Sequence, residues 1–362
     1  MLVVLDANTL VADFRLQGTH FGLLLDTKKR LGMKLCVPEV VLEETVNKFR
    51  ERVEDHLQAV ARNVGELGKL VSLESKGLVG DLPDSDQVVK DYRLQLQELF
   101  KTHSIKVLPV PQVEHSDIIA RDLLRKKPFG GRSGYRDYLI WESILQLLRL
   151  ARDDLVYVTE NKKDFAKEGE IHPDLIADLE ARQLQSHRVS LSVGLRAFNE
   201  RYVIPYLTRV EDLKEELDQR GVGPLDLHEW VSRNCEELLD REDLLVVGVG
   251  VPPGVGSAGP PRLRQAPEIQ VQDVYEVEPG SYLARLEVIL DVEFSIDFDW
   301  EDYESSEEVR AFLGPADEPF SSAFSDFDNE FKLELELRIE GRPPSATAYE
   351  IHKISARYLY LS

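Results

Sequence analysis

Four carboxylates in this chain stand where they could do chemistry together. Asp6 closes the opening apolar run Leu2–Leu5, with Asn8 two residues further on. Glu43 and Glu44 lie in Val37-Pro-Glu-Val-Val-Leu-Glu-Glu-Thr45. Asp137 opens Asp137-Tyr-Leu-Ile-Trp141, after a loop with glycines at 130, 131 and 134. Asp164 follows the run Leu155–Val158, with Thr159 and Asn161 in between. Singly, each has an ordinary structural reading. Asp6 could start an Asx turn, Asp137 could be an N-cap contributing about 1 kcal/mol, Glu44 a solvated helix position and Asp164 a short-helix cap. Together they say more. Carboxylates gathered at one place repel one another and raise each other's pKa values, and a divalent cation removes that conflict. Oxygen donors without His or Cys suit Mg²⁺ or Mn²⁺ rather than Zn²⁺. Such ions activate water and support in-line displacement at phosphorus.

The elements that must position these acids are legible as patterns. Short apolar runs at 2–5, 35–37, 105–108, 155–158 and 189–191 read as strands. Amphipathic stretches near 18–31, 39–65, 86–102, 115–125 and 137–151 read as helices between them. This alternation predicts βαβ crossovers and a mainly parallel sheet covered on both faces, an α/β/α domain over residues 1–193. Asp6, Glu44 and Asp164 all come after strands, and ligands of such sheets bind outside the strands' carboxyl ends. The helices at 39–65 and 86–102, joined by a turn-rich piece with Gly77, Gly80 and Pro83, predict a hairpin projecting from the sheet.

Residues 194–247 read as a helical connector and 248–267 as a Gly/Pro linker. That linker lacks the Gly-Lys-Ser/Thr ending of a phosphate loop. Beyond it the period changes. From Tyr282 to Phe298 the even positions are apolar, and Phe331, Leu333, Leu335, Leu337 and Ile339 alternate with charged residues. A period of two predicts an antiparallel β-rich domain over 268–362. The acidic stretch 299–328 is expected to be a long loop with a short helix near 306–313.

Charge is unevenly placed. The chain carries −22 over 362 residues, yet residues 265–362 alone hold 7 basic and 23 acidic side chains. The acidic C-terminal part is expected to meet a protein partner or second subunit, or to shield a basic loop. The rest is near balance, and its basic residues flank the acids. Arg125, Lys126, Lys127, Arg132 and Arg136 precede Asp137, and Lys162 and Lys163 precede Asp164. These are candidate phosphate contacts for a nucleic acid, with the loop glycines allowing close backbone approach. Tyr135, Tyr138 and Trp141 are candidate stacking surfaces, although Trp141 also has core spacing. Other chemistries are thin: there is no His or Cys metal spacing and no Gly-x-Ser-x-Gly elbow. Two cysteines make no disulfide framework, which points to a reducing, cytoplasmic compartment. No apolar run approaches the roughly 20 residues of a membrane span.

Asp6 with Asn8, the Pro38…Glu44 helix, Gly134-Tyr-Arg-Asp137-Tyr-Leu-Ile-Trp141 and Val158-Thr-Glu-Asn161-Lys-Lys-Asp164-Phe165 follow one another as in PIN-domain nucleases. The chain resembles the larger bacterial PIN proteins with a glycine-rich loop before the third acid. Its last segment is also similar to the PIN ribonucleases of toxin–antitoxin systems. The resemblance covers about residues 1–193. It implies an Mg²⁺- or Mn²⁺-dependent endonuclease, usually acting on RNA, possible in a toxin or defence setting. By position it implies that Asp6, Glu44 and Asp137 bind metal, that Asp164 completes the acidic set, and that Asn8, Thr159 and Asn161 support it. Glu43 competes with Glu44. One residue turns a helix by about 100°, so only one of the two can face the site, and spacing from Pro38 favours Glu44. A DNA nuclease of the flap type and a non-catalytic nucleic-acid-binding regulator are the alternatives.

Overall fold

The computed structural model describes residues 1–71, 82–130, 134–218, 225–240, 243–250, 255–298, 300–307, 309–310, 323–341 and 345–361. The chain divides into two units, Met1–Tyr206 and Leu207–Ser362.

In the first unit five parallel strands take the order β3-β2-β1-β4-β7: β1 Leu2–Leu5, β2 Lys34–Pro38, β3 Lys106–Leu108, β4 Leu155–Val158 and β7 Val189–Ser192. β1 and β4 are buried along their whole length. A continuous apolar strand is stable only where both faces of the sheet are covered. The helices of this unit are α1 Ala7–Ala12, α2 Thr19–Thr27, α3 Glu39–Val71, α4 Ser85–Thr102, α5 His115–Leu123, α6 Tyr135–Leu150, α7 Lys162–Phe165, α8 Pro173–Ala181 and α9 Gly194–Tyr202, of which α5 buries no residue. A small ribbon, β5 Ala166–Lys167 with β6 Glu170–Ile171, stands off the main sheet. Trp141, Tyr157, Phe21, Phe165 and Phe198 are the largest fully buried side chains here. Each such side chain stabilises the unit by about 1.5–3 kcal/mol.

α3 and α4 pack as the expected hairpin. Phe49 stacks on Tyr92 with ring centroids 3.9 Å apart, and Arg50 pairs with Asp86. The turn-rich piece with Gly77 and Gly80 lies outside the described residues. α1, α7 and α8 are too short or too polar to have stood out from periodicity alone.

The second unit is an antiparallel sheet in the order β14-β13-β12-β11-β8. Its long strands are β11 Glu268–Glu278, β12 Ser281–Phe298, β13 Ala323–Glu340 and β14 Ser345–Leu361, and β8 Thr208–Arg209 closes one edge. The even positions of β12 from Ala284 to Phe298 are buried, as the period of two requires. They share a core with Phe331–Ile339 and with Leu217, Leu227, Val231 and Leu238 of α10 Glu211–Asp218, α11 Leu227–Arg233 and α12 Cys235–Leu238. The boundary between units therefore falls inside the helical stretch expected as a connector. The Gly/Pro-rich stretch expected as a linker also joins the sheet. β9 Ser257–Ala258 and β10 Arg262–Leu263 pair with β12 beyond the end of β11. Gly248 lies against Phe331, where a Cβ would sit 2.9 Å from the ring. The short helix after β12 spans Trp300–Ser305, earlier than expected, and β13 begins within the expected loop. Residues 311–322 of that loop lie outside the described residues. Among the described residues no helix is long and apolar enough to cross a membrane.

Candidate active site

The order of the parallel sheet reverses between β1 and β4. The chain runs outward through β1, β2 and β3 on one side, then returns to β4 on the other. Connections diverge at such a point and leave a crevice beyond the carboxyl ends. Asp6 is the first residue past β1 and Thr159 the first past β4.

Asp6 is buried, with 4% of its surface exposed. Its Oδ1 accepts the Ala7 N–H at 2.8 Å, capping α1, and its Oδ2 accepts the Thr159 hydroxyl at 2.5 Å. The Thr159 oxygen accepts the Asn161 N–H at 3.0 Å. Asn161 Oδ1 caps α7 by accepting the Asp164 N–H at 3.3 Å, and its amide donates to Asp137 Oδ1 at 3.4 Å. One polar chain thus runs from Asp6 through Thr159 and Asn161 to Asp137, which lies in the first turn of α6. Glu44 reaches the same place from α3. A pocket of about 480 Å³ opens there, lined by Asp6, Asn8, Glu44, Tyr135, Arg136, Asp137 and Asn161 with Ala7 and Gly134.

The electrostatics follow from this crowding. Burial pushes the Asp6 carboxyl above its ordinary pKa against the pull of its hydrogen bonds. Glu44 is also raised, by burial first and by Asp6, against the Arg136 guanidinium. Asp137 is pushed up to about 7, by burial first and then by Asp6, Asp164 and Glu44. Among the described residues no basic side chain pairs with Asp6 or Asp137. These donors are oxygens only, the chemistry of a hard divalent cation, and three of them line one pocket, although among the described residues their carboxylate oxygens do not all lie within 4.8 Å of one another.

The adjacent glutamates separate cleanly. Glu43 turns away to α4, where Arg93 holds it with two hydrogen bonds of 2.5 and 2.6 Å. That pairing lowers its pKa, opposite in direction to Glu44. Arg93 is fifty residues distant, so no local signal could have found it.

The basic residues also divide. Arg136 pairs with Glu44 at 2.8 Å and Lys127 with Asp164 at 2.9 Å. These two expected phosphate contacts are engaged as counter-ions of the acids, because the carboxylates lie within reach of the same loop. Arg125 pairs with Asp122. Lys126, Lys162 and Lys163 are exposed and do not line the pocket. Arg132 lies outside the described residues. Of the aromatic candidates, only Tyr135 is half exposed and lines the pocket. Trp141 and Tyr138 are buried, and the Trp141 indole donates to Asp178 at 2.9 Å.

Residues 3–165 match the family model described as PIN domain. The matched segment runs from β1 to the end of α7 and so contains every residue of the pocket. No curated protein and no solved structure matches the chain. PIN domains are generally nucleases, which agrees with an acidic crevice at a sheet's switch point. On the sheet order, the crevice and the matched segment together, residues 3–165 of this chain are similar to a PIN domain.

Proposed function

We propose that the chain is an endoribonuclease that hydrolyses phosphodiester bonds with the help of a divalent cation, Mg²⁺ or Mn²⁺. The observation that carries this reading is the convergence of Asp6, Glu44 and Asp137 on one pocket with Asp137 raised to about 7. Such convergence is costly without a cation. Asp6, Glu44 and Asp137 would hold the ion, with Asp164 completing the acidic set. When bound, a cation of this type makes water acidic enough to attack phosphorus and offsets the charge that builds there. The chain's own residues do the rest. Thr159 fixes the rotamer of Asp6, and Asn161 orients Asp137 through its amide. Lys126, Lys162 and Lys163 supply positive charge for the backbone of the substrate, and Tyr135 offers a half-exposed ring to a base.

Labelled single-stranded RNA and single-stranded DNA of one sequence, incubated with Mn²⁺, Mg²⁺ or EDTA, test the reading. RNA cleavage is expected with either ion and not with EDTA, and Asp6→Asn or Asp137→Asn should lower it by at least about a hundredfold. Cleavage by both variants at the wild-type rate would sink the assignment. Preferential cleavage of DNA would favour the DNA-nuclease alternative. Mn²⁺ binding without cleavage of either strand would favour a regulator.

A further inference from the structure

Lys127 is held through its backbone as well as through its ammonium. Its N–H donates to Asp174 at 2.9 Å, and its carbonyl accepts from Arg121 Nε at 2.8 Å and from the same guanidinium's terminal nitrogen. Arg121 is fixed in turn by Asp178, which also accepts the Trp141 indole N–H. From this clamp the Lys127 ammonium reaches Asp164 at 2.9 Å, with only 18% and 15% of the two side chains exposed. Gly130 makes the space: a Cβ there would fall 2.2 Å from Lys127 Nζ and 3.1 Å from Asp164 Oδ1.

The charge inventory then becomes specific. Asp6, Glu44 and Asp137 line the pocket, and Asp164, whose charge acts on Asp137 from beside it, makes a fourth carboxylate; Lys127 and Arg136 each pair with one of the four. The difference is two negative charges, the complement of one divalent ion. Four carboxylates without counter-ions would match two such ions. The two built-in cations differ in firmness: Arg136 is 55% exposed, whereas Lys127 is clamped through its backbone.

We propose that Lys127 is a resident substitute for a second metal ion, neutralising Asp164 so that the acidic pocket binds one divalent cation rather than two. This rests on the reading of the pocket as a metal site. Lys127 is a positioning residue here, and Asp174, Arg121 and Gly130 set its place.

The test counts Mn²⁺ on the full chain, without nucleic acid, by isothermal titration calorimetry and by electron paramagnetic resonance of the free ion. Wild type is expected to bind one Mn²⁺ per chain. Lys127→Met should bind two, and Lys127→Met with Asp164→Asn should return to one. Gly130→Ala, which displaces the ammonium without removing it, should also gain the second site. Thermal melts keep the result interpretable: Mn²⁺ should raise the Tm of Lys127→Met more than that of wild type. Two ions on wild type, or one ion on both Lys127→Met and Gly130→Ala, overturns the inference while leaving the metal-dependent reading intact. No ion on wild type overturns both.

Discussion

Asp137 sits where three other carboxylates and burial all oppose its ionisation, which gives it a measurable signature. Its pKa is raised in the folded chain to about 7 from an ordinary value of 3.8. The folded state therefore holds a proton that the unfolded state has released, and metal-free stability falls as pH rises from about 4 to about 7. Above that window the penalty is constant, at most about 4 kcal/mol by the size of the shift. Asp137→Asn removes the charge, so it should raise the Tm of the metal-free chain clearly at pH 8 and less at pH 5. Thermal melts in EDTA at the two pH values check this. In wild type the same carboxyl must lose its proton to hold a cation, so Mn²⁺ affinity should weaken as pH drops below about 7. At this scale the sequence already contained the acids. What it left open was which of Glu43 and Glu44 faces the pocket: the α3–α4 packing brings Arg93 to Glu43, and Glu44 is the one on the pocket wall.

At the scale of the element, α7 and the turn before it carry most of the site's support in seven residues. Thr159 bonds to Asp6, Asn161 caps the helix and reaches Asp137, and Asp164 pairs with Lys127. Lys162 and Lys163 project from the same turn into solvent. If they meet phosphates, replacing both with Ala should weaken RNA binding without regard to sequence. The slope of log affinity against log salt should shrink by roughly 0.7 for each phosphate of a single strand that is no longer neutralised. Fluorescence anisotropy across a salt series, with Ca²⁺ in place of the activating ion, would show it, and an unchanged slope would remove the lysines from the interface. The motif Thr-x-Asn-x-x-Asp was legible because its hydrogen bonds are local. The clamp on Lys127 was not, since Asp174 and Asp178 lie about fifty residues away along the chain.

At the scale of the whole molecule, the division at Tyr206 changes how the chain should be dissected. A cut at residue 264 would keep Leu227, Val231 and Leu238 but remove the β12 and β13 faces that cover them. Such a fragment should aggregate. A fragment of residues 1–206 should fold and bind Mn²⁺ as the full chain does, measured by circular dichroism and calorimetry. If the acidic second unit shields the basic loop, RNA cleavage by this fragment should exceed that of the full chain, and equal cleavage would count against shielding.

The sequence by itself determined the strands of the first sheet, the change of period after residue 281 and the identity of the acids, because these are written in nearest-neighbour patterns. Strand burial and alternation depend on residues one to four apart, and so do helix caps and turns. The tertiary structure alone decided which charges cancel. Lys127 and Arg136 read from the sequence as free cations waiting for phosphate, yet the fold sets each beside a carboxylate. It likewise placed Trp141 in the core and drew the Gly/Pro stretch into the second sheet. Ion pairing depends on separations of a few ångströms between residues tens of positions apart, and only the packed chain sets those distances.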